Sequence, residues 1–90
     1  MARVMALVRV LPEGLEVDLD TLAKKINDAL PENYLLAEAR KEPIAFGLEA
    51  LLLLVVMPEE TEGGTYELEQ RISAVEGVSE VEILRVTRAS

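Results

Sequence analysis

The stretch from Leu48 to Val56 places eight apolar residues among nine, with Glu49 the only interruption. Extended to Met57, it is still only about half the roughly 20 residues a helix needs to cross a bilayer, so it is not a membrane span. Apolar on both of its alternating faces, segment 47 to 57 has the character of a central β-strand. Such a strand cannot stand alone. It requires hydrogen-bonding neighbours on both edges and apolar cover on at least one face.

Residues 2 to 11 supply one neighbour. Val4, Ala6, Val8 and Val10 make a uniformly apolar face, while Arg3, Met5, Leu7, Arg9 and Leu11 make a mixed one. Pro12, Glu13 and Gly14 then turn the chain. In VDLDTLAKKINDAL, the residues Leu19, Leu22, Ile26, Ala29 and Leu30 recur at helical steps, with Asp20, Lys24, Lys25 and Asp28 opposite them. Asp18 is the expected N-cap and Val17 with Leu22 a hydrophobic staple. Pro31 ends the helix by disfavouring helical geometry just before it. Residues 34 to 42 have weak strand propensity and would also suit a helix; length, and the need of the next strand for a partner, select a strand. PEETEGG reads as an acidic, glycine-containing loop. A second helix is predicted from Tyr66 to about Glu76, with Thr65 as N-cap and Gly77 as the left-handed C′ residue. VSEVEILRV closes the chain as a final strand.

The order strand, helix, strand, strand, helix, strand predicts one domain over residues 1–90. Its class is α+β: a ferredoxin-like βαββαβ sandwich with a four-stranded antiparallel sheet and two helices on one face. The other face is open, and Met5 and Leu7 are expected there beside Leu51, Leu53 and Val55 or their alternates. An aliphatic patch of this kind usually marks an interaction surface.

The chemistry available is narrow. Cys and His are both absent, which removes Ser-His-Asp and Cys-His arrangements and the commonest metal ligand. A net charge of -8, from 17 acidic against 9 basic side chains, repels nucleic-acid backbones and favours a basic protein partner. Tyr34 is the only aromatic offered to the sheet, too few for an RNA-recognition surface. Glu59, Glu60 and Glu62 lack the spaced oxygens of a calcium loop, and Gly63-Gly64 lacks a phosphate-binding Lys, so both read as loop chemistry. No metal or other cofactor is expected. Arg3 and Arg9 interrupt any secretory core near the start, which suggests a soluble, cytoplasmic protein with no membrane contact.

The six residues before the central strand, Glu42-Pro43-Ile44-Ala45-Phe46-Gly47, contain the only Phe of the chain. Pro43 and Gly47 shape a stiff connection that displays this ring. Structurally the ring would cap the end of the core; functionally it would anchor a protein interface.

Glu-Pro-Ile-Ala-Phe-Gly-Leu, followed by an aliphatic strand, a Pro-Glu-Glu/Gly-Gly loop and Val-Glu-Gly-Val-Ser-Glu-Val, resembles the elongation factor 1-beta family. The likeness is to the archaeal factors and to the exchange domain at the C-terminus of the eukaryotic one, and it covers essentially the whole chain. It implies a non-enzymatic guanine-nucleotide exchange factor that binds the GDP form of elongation factor 1-alpha, with Ile44, Ala45, Phe46 and Gly47 at the interface. The eukaryotic branch uses a Lys at its extreme C-terminus to displace magnesium. Here Thr87-Arg88-Ala89-Ser90 has no Lys, and Arg88 is the candidate stand-in, although Arg and Lys are not equivalent as point charges. The eukaryotic subunit's glutathione-transferase-like and linker regions are missing, so a single module is expected. Weak self-association is compatible with the open face. The alternative reading is a self-associating ferredoxin-like sensor of small molecules, suggested by Val75 to Val78. An acylphosphatase-like enzyme is disfavoured because no Arg-bearing glycine loop follows the first strand.

Overall fold

Alternation in the first strand becomes burial. In β1 (Arg3–Pro12), Ala6, Val8 and Val10 are fully buried, while Met5, Leu7, Arg9 and Leu11 between them are half-buried. The structure, a computed structural model, describes residues 3–59 and 64–89.

Asp18 starts α1 (Leu19–Ala29) from extended geometry, and its carboxylate accepts hydrogen bonds from the Asp20 amide (3.1 Å) and the Thr21 hydroxyl (3.0 Å). Leu22 and Ile26 face the core with Val17 packed against its edge, as a staple requires. At the other end Leu30 turns to φ -67°, ψ 147°, the extended conformation that Pro31 imposes.

The ambiguous segment is a strand, β2 (Leu35–Pro43), paired antiparallel with β3 (Glu49–Pro58). Only Leu36 and Glu42 of β2 are even half-buried. Its weak apolar pattern is that of an edge strand, where Lys, Arg, Glu and Pro are tolerated and discourage further pairing.

The second helix, α2 (Tyr66–Ser73), stops short of the expected Glu76, and Thr65 makes no side-chain capping bond. Gly77 is left-handed as expected (φ +102°), but it is not the helix C′ residue. The Val78 amide donates to the Val75 carbonyl (3.2 Å), so Gly77 is the third residue of a tight turn leading into β4 (Val78–Ala89). β4 runs three residues past the predicted end because it stays paired with β1 as far as Arg3.

The sheet order is β2-β3-β1-β4, wholly antiparallel, which completes the ferredoxin-like α+β fold. Leu51, Leu53, Val55 and Met57 join Ala6, Val8 and Val10 beneath Leu22, Ile26, Leu68 and Ile72 of the helices. Each fully buried aliphatic side chain contributes about 1.5–3 kcal/mol before chain entropy is deducted. The open face therefore carries the alternates of the residues first considered: Leu52, Leu54 and Val56, opposite Arg9, Leu7 and Met5. A one-residue step along a strand exchanges faces, which is why composition alone left that choice open.

No helix among the described residues is long and apolar enough to cross a membrane. Of the acidic loop, Glu60, Glu62 and Gly63 lie outside the described residues. Glu59 forms an ion pair with Arg88.

Candidate protein-partner interface

The connection between β2 and β3 is closed by two backbone bonds. The Ile44 amide donates to the Leu48 carbonyl and the Leu48 amide to the Ala45 carbonyl, each at 2.9 Å. Ala45 to Leu48 is thus a four-residue turn whose two central residues both have positive φ, +52° at Phe46 and +80° at Gly47. That is the signature of a type I′ turn, whose twist matches the strands it joins. Gly suits the second central position. Phe does not suit the first, where Asn or Asp is preferred; an L-residue held left-handed costs about 1–2 kcal/mol.

No packing offsets that cost. Phe46 is 97% exposed, so the ring does not cap the core. The ring is thus a large aromatic held in strained backbone and presented to solvent. Ile44, at the hairpin shoulder, is half exposed. Ala45 and Gly47 complete the turn, and neither contributes a large contact of its own.

Charged pairs brace the base of this hairpin. On the open face Arg9 Nε lies 3.4 Å from Glu42 of β2, and Arg9 Nη1 lies 3.4 Å from Glu82 of β4. One guanidinium therefore spans the sheet. On the helix side Lys41 approaches Asp20 of α1 at 3.4 Å. These pairs are partly solvated, so each orients the hairpin more than it stabilises it.

Sequence reasoning overlooked Leu15. It stands in the connection 13–18 between β1 and α1 and is 69% exposed. The register places this connection at the same end of the sheet as the hairpin, and a methyl group added to Gly47 would lie 3.9 Å from Leu15 Cδ2. Between the two loops lies a groove of about 190 Å³, lined among others by Leu15, Asp18, Lys41, Leu48 and Glu49. The available signal was an apolar residue inside a turn, placed before the Asp18 cap and so outside the helix whose apolar spacing it shares.

Asp18, at the rim of this groove, has its carboxyl held below the ordinary aspartate range. The Thr21 hydroxyl bond is the main cause, with the Asp20 amide next.

Arg88 is not at this end. It pairs in register with Val4, on the level of Met57, where the hairpin adjoins Glu49. Eight strand steps separate those levels, about 27 Å at roughly 3.4 Å each. The molecule measures 42 × 20 × 19 Å, so Ile44 to Gly47 and Arg88 occupy opposite ends of its long axis.

Residues 5–89 match a family described as the EF-1 guanine nucleotide exchange domain. The chain is 57% identical over its full length to elongation factor 1-beta of Thermofilum pendens, covering 99% of that protein. It is 58% identical to elongation factor 1-beta of Desulfurococcus amylolyticus over the full length of both. Among solved structures, the C-terminal domain of the MgtC protein from Mycobacterium tuberculosis superposes with a TM-score of 0.56 at 17% identity, covering 99% of this chain and 88% of that one. The last likeness concerns the fold alone.

Proposed function

The chain belongs to the EF-1 guanine nucleotide exchange domain family, and from that premise we propose how its two ends act on the GTPase, elongation factor 1-alpha. As an exchange factor of translation elongation, it works by binding and not by covalent chemistry. The sensor alternative gives way to the family.

In the proposed mechanism the protein engages the GDP-bound GTPase in the cytoplasm. Phe46 enters an apolar pocket of the partner, with Ile44 beside it and Ala45 and Gly47 setting the angle of approach. The observation that carries this assignment is Phe46 itself, fully presented and left-handed with no intramolecular use. Catalysis then amounts to differential affinity. The complex favours a GTPase conformation with weakened magnesium and phosphate contacts, and linkage requires GDP or GTP to weaken the exchange factor by the same factor. Such a mechanism needs no nucleophile or base.

Arg88 supplies a cation at the far end, where it would act on the charges around the nucleotide once the hairpin is anchored. Its pair with Glu59 must open for that. The open face supports weak self-association at most, because two copies each carrying -8 repel.

The test is stopped-flow release of a fluorescent GDP analogue from elongation factor 1-alpha. Acceleration that saturates at micromolar exchange factor is expected. Release at the intrinsic rate over that whole range refutes the mechanism.

A further inference from the structure

Three large apolar side chains are exposed at one end of the molecule: Phe46, Leu15 and Ile44, at 97%, 69% and 50%. Among the described residues, the other exposed ones are Leu35 and Val86, in register with Val56 and Ala6 toward the Arg88 end, and Tyr66 at the start of α2. Leu15 reaches the hairpin side of its loop, close to the backbone of Gly47. Its own connection is tied once to the body and once within itself. The Glu13 amide donates to the Gly77 carbonyl at 2.9 Å, and the Val17 amide donates to the Gly14 carbonyl at 3.3 Å. Leu15 therefore stands beside the turn with most of its side chain exposed.

We propose that Leu15 is a second anchor of the GTPase interface, and that it forms with Ile44 and Phe46 one continuous contact across two loops. The inference rests on the hairpin reading above and adds a residue from a separate part of the chain. Carboxylates surround the contact. Asp18 and Glu49 line the groove, and Glu13 and Glu16 flank Leu15 in sequence; the one cation on the groove, Lys41, already approaches Asp20. The partner surface that fits is an apolar depression edged by Lys and Arg, not an acidic or uniformly polar one. The apolar anchors set residence time. The acidic rim speeds encounter and makes it sensitive to salt.

Leu15→Ala, Leu15→Met and Phe46→Ala are compared with the unaltered protein in the GDP-release assay, with Val86→Ser, toward the opposite end of the sheet, as a control. Leu15→Ala is expected to raise the half-saturating concentration at least about fivefold, the change of an anchor worth roughly 1 kcal/mol. The maximal rate should change little. Leu15→Met should restore affinity, Val86→Ser should not move it, and the thermal midpoint of Leu15→Ala should match that of the parent. A normal half-saturation for Leu15→Ala alongside a raised one for Phe46→Ala overturns this inference and leaves the hairpin reading standing. A normal value for Phe46→Ala overturns the hairpin reading itself. Equal losses in Leu15→Ala and Val86→Ser refute a local anchor.

Discussion

Replacing Phe46 by Asn separates the stability of the turn from its function. The type I′ geometry demands positive φ at this position, which costs an L-residue about 1–2 kcal/mol and costs Asn less. The ring is 97% exposed, so its removal forfeits almost no burial. A gain of about 0.5–1 kcal/mol follows, which in a domain of this length is a rise of roughly 2–8 °C in Tm. Exchange should move the other way. Truncating an aromatic hot spot costs about 2 kcal/mol or more, near thirtyfold in half-saturating concentration. Phe46→Ala keeps the backbone strain and should lose exchange with a nearly unchanged Tm. Calorimetry and GDP-analogue release on the same preparations measure both quantities. A fall in Tm of more than about 4 °C for Phe46→Asn would show that the ring packs against the fold. An unaltered half-saturation would show that it anchors nothing.

Arg88→Ala is expected to lower the maximal release rate while leaving half-saturation near normal, because Arg88 lies at the end remote from the hairpin; its partly exposed pair with Glu59 predicts a stability change within about 1 kcal/mol. Gly77→Ala should destabilise more than Gly64→Ala. Gly64, at φ +63°, sits in the left-handed region that an L-residue can occupy, whereas Gly77, at φ +102°, lies outside it. Parallel melts decide this, and equal losses would mean that the larger φ at Gly77 adds no strain. For Asp18 the folded-state pKa is depressed, so its contribution is complete above the unfolded value of about 3.9 and fades as pH falls through the lower folded value. The Tm gap between the parent and Asp18→Ala should accordingly be constant near neutrality and narrow below about pH 4; a gap that widens in acid contradicts the assignment.

Much of the architecture was legible in the sequence because local rules and the global fold agree. The apolar run at 48–56 demanded a central strand, Asp18 and Pro31 bracketed the first helix, and Pro43 and Gly47 marked a shaped turn. Residue periodicity has a range of a few positions, and within that range it was reliable. Its failures were equally local. Val75 carries on the apolar phase of α2, yet the tight turn at Gly77 and the pull of β4 end that helix at Ser73. The face occupied by Leu52, Leu54 and Val56 could not be settled without knowing the register against β1.

The sequence by itself determined the element order, the absence of imidazole and thiol chemistry, and the display of a single Phe on a rigid hairpin. Tertiary structure alone decided three further matters. It showed that the Phe is unpacked and left-handed, since exposure and φ depend on where the rest of the chain lies. It set Leu15 beside Gly47, 32 residues away in the chain, because antiparallel pairing of β1 with β3 brings their connecting loops to one end. And it placed Arg88 at the opposite end, because β4 runs the length of the sheet before the cation is reached. Distances of that kind are consequences of register, which no local pattern of side chains encodes.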